Sequence, residues 1–270
     1  MGPEDELIVV DSASSPAVVF PDARVVRVDQ PGVNRARNAG WRVASHALLA
    51  YVDDDVVVDA EWADAIARSA AAHPEAAFVT GRLAPLNDSA HGGVAVKDDD
   101  EPAVLDRQTR GDLGHGANVL VRSGALAAIG GWDESLGAGA RFKSAPEADL
   151  FDRLFAAGFT GRYEPTARAR HEQWRSPGEL VRLDWRYGFG NGARLAKLVR
   201  TDRERARRVG GEALWGWGLQ RVGRPLLDRN KTEVARIAAR VTGTTVGFSR
   251  AVFVRIRNGH FAPRDEESAG

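Results

Sequence analysis

The sequence has no cysteine. That absence excludes disulfides, Cys-ligated zinc and thiol catalysis together. An excess of one charge is also lacking: 37 Lys and Arg stand against 37 Asp and Glu, a formal net charge of +0. Bulk nucleic-acid binding needs a basic excess, so no nucleic-acid partner is expected. Long apolar runs are missing too, and no stretch is fit to span a bilayer. The opening MGPEDELIVV is acidic, and its apolar run is too short for a secretory signal. The chain is therefore expected to be cytoplasmic, with association at the inner face of the membrane left open. There is no internal repeat. What is present is a 43% hydrophobic content over 270 residues, enough for a buried core. The length suits one large domain, or one domain with an extension.

Short apolar runs at residues 7–10, 24–28, 47–52 and 76–80 read as strands. Between them, residues 34–45, with Asn34 as the expected cap, and the Ala-rich residues 61–73 read as helices. This alternation predicts an α/β domain with a mainly parallel sheet. Such sheets bind ligands at the carboxyl ends of their strands. Asp11 and Asp53 stand at two of these ends. Residues 87–116 are polar and read as a mobile loop or partly ordered insertion; its Lys97-Asp98-Asp99-Asp100-Glu101 run reads as a solvated face. Strand character returns at residues 117–122. A short helix follows at 123–129, stopped by Gly130-Gly131. Pro146 fits the first turn of a helix closed by Gly158, and residues 166–170 are strand-like. From Pro177 onward the pattern is mostly helical, with a strand expected only at residues 252–256.

Asp53-Asp54-Asp55 follows an apolar strand directly. Carboxylates at i and i+2 leave a strand end on one side, so Asp53 and Asp55 are expected to face one site. A nucleoside diphosphate brings negative charge to neutralise. Mg2+ or Mn2+ does so with few protein ligands, because phosphate oxygens and waters complete the octahedron. A charged loop after a strand is the plain alternative. An EF-hand loop fits less well, lacking the central Gly and closing Glu. Further along, Glu147 falls in a first helical turn, where the helix dipole favours an ionised carboxylate. Asp149 lies two residues on, on a different helix face.

Taken in order, these segments resemble glycosyltransferase family 2. Leu7-Ile8-Val9-Val10-Asp11 with Ser14 is similar to that family's second strand, whose aspartate contacts the nucleotide base. Gly32 and Ala36-Arg37-Asn38-Ala39-Gly40 resemble its helix beside the donor. Tyr51-Val52-Asp53-Asp54-Asp55 resembles its DxD strand end. Gly116-Ala117-Asn118 and Ile129-Gly130-Gly131-Trp132-Asp133-Glu134 resemble its acceptor side. The stretch from Leu136 through Gly137, Arg141 and Phe142 to Glu147, Asp149 and Leu150 resembles its catalytic-base region, and His171 falls where a metal- or phosphate-contacting histidine is often found.

The likeness covers residues 7–175. It implies a GT-A-type nucleotide-sugar-binding domain over residues 1–176, followed by a mostly helical C-terminal extension over 177–270. The resemblance begins at the family's second strand, so either the true start lies upstream or the usual first strand and helix are lacking. Where the family often has Glu-Asp, this chain has Pro146-Glu147. Glu147 therefore takes the base position with one more methylene of reach.

The implied roles follow residue by residue. Asp11, Arg37, Asn38, Asp53 and Asp54 would bind the donor, and Asp55 and His171 would hold the metal. Asn118, Trp132, Asp133 and Glu134 would line the acceptor, and Glu147 would act as base with Asp149 as the alternative. Each has a plainer reading. Trp132 could be core, Arg37 the partner of an aspartate, Asn38 a loop-fixing hydrogen bonder, His171 structural and Glu147 a dipole complement. The implied activity is metal-dependent, inverting transfer from a nucleotide diphosphate-sugar to a saccharide or lipid-linked acceptor. The competing readings are an inactive nucleotide-sugar-binding protein and a nucleotidyltransferase. The latter usually has a Gly-rich phosphate loop with a basic residue near the first strand, and Asp11 to Pro16 has neither.

Trp174, Trp185, Tyr187, Trp215 and Trp217 interleave with arginines in the C-terminal region. Such a pattern suits an anionic membrane surface or single-stranded nucleic acid. Asp184, Asp202 and Glu204 interrupt the basic run and favour packed helices with charged outer faces. Peripheral membrane contact is the second reading.

Overall fold

The computed structural model describes residues 2, 4–86, 96–172, 175–213 and 230–263. The chain divides into two compact units. One comprises residues 1–132 and 150–174, the other residues 133–149 and 175–270. The segment 133–149 thus belongs with the helical part.

The first unit is α/β. Strands β1 (Ile8–Ser12) and β2 (Arg24–Val28) form a parallel pair. Helix α1 (Val33–Val43) follows, then β3 (Leu48–Val52), β4 (Val56–Val58), α2 (Trp62–Ala72) and β5 (Ala76–Pro85). Next come β6 (Ala103–Leu105), β7 (Asn118–Arg122), α3 (Ser123–Ala128), α4 (Pro146–Ala156) and β8 (Thr160–His171). The larger sheet has the order β3-β7-β5-β8-β4, with β6 also on β8. Its longest pairing, β5 with β8, is parallel; β7, β4 and β6 run antiparallel to their neighbours.

Alternation along the strands divides the core between the two sheet faces. Phe78, Val119 and Val121 point into a cluster with Leu126, Leu150, Phe151 and Leu154, where Phe78 stacks on Phe151 at 4.4 Å. Val79, Leu120 and Ala167 point the other way, onto Ala65, Ile66 and Ala70 of α2.

The second unit is helical. Helix α5 (Pro177–Thr201) starts with a capping box, in which the Glu179 carboxylate accepts from the Ser176 amide at 2.8 Å and hydroxyl at 2.6 Å. Helices α6 (Arg203–Ala213) and α7 (Lys231–Ala251) follow, then a short hairpin of β9 (Ile256–Arg257) and β10 (His260–Phe261). Leu136, Phe142, Phe189, Ala193, Ala251, Val254 and Phe261 form its core. Among the described residues no helix is long and apolar enough to cross a membrane.

Several local expectations change. Helix α1 is capped by Gly32, not Asn34; Asn34 is buried inside it. Residues 252–256 are not a strand, because α7 runs to Ala251 and the hairpin starts at Ile256. The described part of the 87–116 segment is built in: Leu83 bridges Lys97, β6 pairs with β8, and Arg82 binds Asp100 at 2.7 Å. Strand β4 was not anticipated. Trp174, Trp215 and Trp217 lie outside the described residues.

Candidate donor and metal site

Helix α1 ties the two expected strand ends together. At its start, the Gly32 amide donates to Ser12 Oγ at 3.2 Å, at the end of β1. One turn on, Arg37 Nη2 donates to Asp53 Oδ1 at 3.0 Å, just past β3. The Arg37 guanidinium is buried over the Trp132 ring, 4.7 Å from its centroid. Gly116 makes room for it, since a Cβ there would come within 3.0 Å of the guanidinium nitrogens. Asn38 makes a reciprocal pair with the Trp132 backbone: Asn38 Nδ2 donates to its carbonyl, and its amide donates to Asn38 Oδ1, both at 2.9 Å. Gly131, at φ +81, permits that approach, because a side chain there would strike Asn38 Oδ1.

Asp11 is buried at the end of β1. Its carboxylate accepts from the amides of Ser14 at 2.9 Å and Val18 at 3.2 Å, and it pairs with Arg27 of β2. The Ser14 amide and hydroxyl, with help from Val18 and Arg27, hold the carboxyl down at about 2. Asp11 thus stays ionised and shapes the loop after β1.

Asp53, Asp54 and Asp55 do not continue the strand. They form the turn between β3 and β4, closed by the Val56 amide donating to the Asp53 carbonyl at 3.2 Å. The three side chains therefore diverge. Asp53 goes to Arg37, Asp54 is exposed, and Asp55 Oδ2 lies 3.3 Å from His171 Nε2. His171 ends β8 and is paired in register with Val56, while the Glu172 amide donates to the Asp55 carbonyl at 3.1 Å. The β4–β8 ladder is what brings Asp55 and His171 together across 116 sequence positions. One carboxylate and one imidazole suit a divalent cation that takes its other ligands from phosphate and water. Among the described residues no cluster of three or more such side chains could hold a metal by itself.

Other expected residues lie in the interior. Asn118 is fully buried, its Oδ1 accepting from Trp62 Nε1 at 2.8 Å and its Nδ2 donating to the carbonyls of Arg82 and Ala167. Trp132 is 1% exposed and meets Tyr51 edge-on at 5.4 Å. Both hold the sheet and its loops.

In the second unit, Asp133 and Asp149 converge on a buried lysine that sequence reasoning missed. Lys197 Nζ lies 2.5 Å from Asp133 Oδ2 and 2.6 Å from Asp149 Oδ1, with all three side chains at most 3% exposed. The Phe261 amide also donates to Asp133 Oδ2, at 2.9 Å. Glu134 and Glu147 are half-buried. Tyr187, close enough for Glu147 to be felt, has its hydroxyl pushed up to about 12 by burial first and that carboxylate second. A second missed pair is Asp112 with His115 (Oδ2 to Nε2 3.0 Å), in the loop that delivers Gly116 to Arg37.

The family model described as glycosyl transferase family 2 matches residues 1–127. The Pre-mycofactocin glycosyltransferase of Mycobacterium tuberculosis (strain CDC 1551 / Oshkosh) is 26% identical over 258 residues, covering 89% of this chain and 51% of the relative. The same protein of strain ATCC 25618 / H37Rv matches equally. The chain therefore spans about half the length of the curated relatives it matches.

Among solved structures, S. aureus TarS 1-349 aligns with a TM-score of 0.52 at 13% identity, covering 93% of this chain and 83% of that one. Mannosyltransferase PcManGT from Pyrobaculum calidifontis, in complex with GDP-Man and Mn2+, aligns with a TM-score of 0.51 at 15% identity. It covers 90% of this chain and 66% of that one. The fold is of the GT-A type.

Proposed function

We propose that this chain is a metal-dependent, inverting glycosyltransferase that moves a sugar from a nucleoside diphosphate-sugar to a hydroxyl of a saccharide or lipid-linked acceptor. The observation that carries the reading is the pairing of Asp55 with His171 at the β4–β8 end, beside a turn whose Asp53 is held by Arg37. These two side chains would hold Mg2+ or Mn2+. Such an ion neutralises the diphosphate and stabilises it as it leaves.

The chain's own groups do the rest. Arg37 fixes the Asp53 turn and brings a cation to the donor side. Asp11 shapes the loop after β1, where the base would bind, and Asp54 is exposed in the turn between β3 and β4. Glu147 takes the proton of the acceptor hydroxyl as the new glycosidic bond forms. The engagement of the Asp149 carboxylate by Lys197 supports Glu147 over Asp149 in this role. On the acceptor side Glu134 keeps exposure for contact with a hydroxyl. Asn38, Asn118, Trp132 and Asp133 act by holding backbone in place.

Peripheral attachment at the inner face of the membrane belongs to the lipid-linked form of this reading. The test is calorimetric titration of nucleoside diphosphates with and without Mn2+, starting with GDP because a structural neighbour holds GDP-Man. The wild type should bind only with the metal, and Asp55→Ala should lose that metal dependence while keeping its melting temperature. Metal-dependent affinity unchanged in Asp55→Ala would remove the assignment.

A further inference from the structure

Phe253 has the greatest exposure of the large hydrophobic side chains among the described residues, at 92%. This is not the exposure of a frayed end. Its neighbours Ala251 and Val254 are buried at 0% and 5%. Arg200 Nη1 donates to the carbonyls on either side, Val252 at 3.2 Å and Val254 at 2.5 Å. The Val254 amide returns to the Ala251 carbonyl at 3.0 Å, and the Ala262 amide closes on the Arg255 carbonyl at 2.8 Å. The backbone is pinned, and the ring points outward from it.

The surroundings are basic. Arg250, Arg255 and Arg257 are exposed around the turn. No acidic residue occurs from residue 234 to residue 263. Even with Asp265, Glu266 and Glu267, which follow outside the described residues, six arginines stand against three acids over residues 234–270. Val246, 36% exposed, and Arg250 stand at the i, i+4 spacing that shares one side of α7, and Phe253 lies in the turn two residues past its end.

We infer that this turn seats on an anionic phospholipid surface. Phe253 enters the boundary between headgroups and acyl chains, and Arg250, Arg255 and Arg257 pair with lipid phosphates. An outward aromatic answers the apolar boundary, and a basic rim answers the negative leaflet. A protein pocket shaped for one phenyl ring would not require the arginines. The inference adds a location to the membrane-attached form of the proposed function. Vesicle binding needs neither donor nor acceptor, so the two readings can fail separately.

The experiment is co-sedimentation of the full chain with vesicles of phosphatidylcholine alone, and with equal parts of phosphatidylcholine and phosphatidylglycerol. Binding is expected only to the anionic vesicles and should weaken as salt rises. Phe253→Ser should bind at least about tenfold more weakly, the effect of withholding one aromatic side chain from an apolar phase. Its melting temperature should be unchanged, because the side chain is in solvent in the folded protein. Arg255→Glu with Arg257→Glu should weaken binding roughly fivefold for each cation lost. Three results would overturn the inference: no binding to anionic vesicles, equal binding to neutral ones, or undiminished binding by Phe253→Ser. A concentration-dependent dimer that Phe253→Ser abolishes, without vesicle binding, would assign the turn to a second copy of the chain instead.

Discussion

At the scale of single residues, Lys197 separates the surroundings of two carboxylates that stand only two positions apart. Asp149 shares the lysine with Asp133 in a buried cluster, whereas Glu147 is half-buried. Removing one partner of a buried ion pair leaves an uncompensated charge, at a cost of about 3–5 kcal/mol. Lys197→Met should therefore unfold at lower urea, with a loss of that size. Asp149→Asn should be destabilised in the same direction. Glu147→Gln should keep its stability and its donor affinity but lose about 10²–10⁴-fold in turnover, the usual contribution of a general base. A normal Glu147→Gln beside a stable but inactive Asp149→Asn would move the base to Asp149. The sequence shows the candidate carboxylates clearly, because strand ends and helix starts mark them. It does not show which are already engaged. Lys197 is 48 positions from Asp149, and nothing in the helix sequence distinguishes the cations that turn inward, Arg194 and Lys197, from those that stay outside. The aspartate triplet illustrates the same gap. Strand alternation predicts convergence of Asp53 and Asp55, but the turn into β4 sends them to Arg37 and His171.

At the scale of elements, helix pairing in the second unit rests on glycine. Gly188 and Gly192 of α5 lie against the Arg240 and Thr244 carbonyls of α7, while Gly243 and Gly247 of α7 lie against those of Trp185 and Phe189. A Cβ at any of the four would fall within 3.0 Å of a carbonyl oxygen, so the helices would have to separate. Gly192→Ala should cost about 1–3 kcal/mol, as overpacking does. Gly211→Ala in α6 is the matched control. Nothing lies within 4 Å of its Cβ position, and its φ is not in the left-handed region. Alanine there should stabilise by about 0.4–1 kcal/mol through the unfolded chain. Urea titrations of the two variants should thus move in opposite directions; movement in the same direction would refute glycine-mediated pairing. Strong periodicity and capping made most helices readable, including α4 from Pro146 and α5 from Pro177. The short elements were not. Strand β4 is three residues long and owes its pairing to β8. The terminal hairpin carried a legible sign, Asn258-Gly259 with both φ values positive, but its strands of two residues each are too short for a periodic pattern.

At the scale of the whole molecule, the titrating groups set a stability plateau with an edge on each side. Asp11 is held at about 2, below its ordinary 3.8, chiefly by the Ser14 amide. Glu6 is lowered from 4.5 by the Ser45 amide, Asp99 from 3.8 by Lys97 and Glu179 from 4.5 by Ser176. For each of these the unfolded chain binds the proton more readily than the folded one. Their contribution is therefore present above the ordinary values and is lost as pH falls through the folded ones. At the other edge, burial raises the hydroxyls of Tyr51, Tyr163 and Tyr187 from 10.0 to about 12. There the unfolded chain releases its protons first. The stability tied to the neutral phenols is complete below 10.0 and is lost as pH rises toward about 12. Melting temperature should be level from about pH 5 to the lower edge of the tyrosine range, and should fall beyond both ends. Calorimetric scans across pH would test this, and Asp11→Asn adds a specific check. Its side chain cannot titrate, so its melting temperature should lie below the wild type's on the plateau, and the gap should narrow as pH falls from about 4 toward 2. A gap that stays constant over that interval would mean that Asp11 is not protonated there, and that the acid edge belongs to other carboxylates.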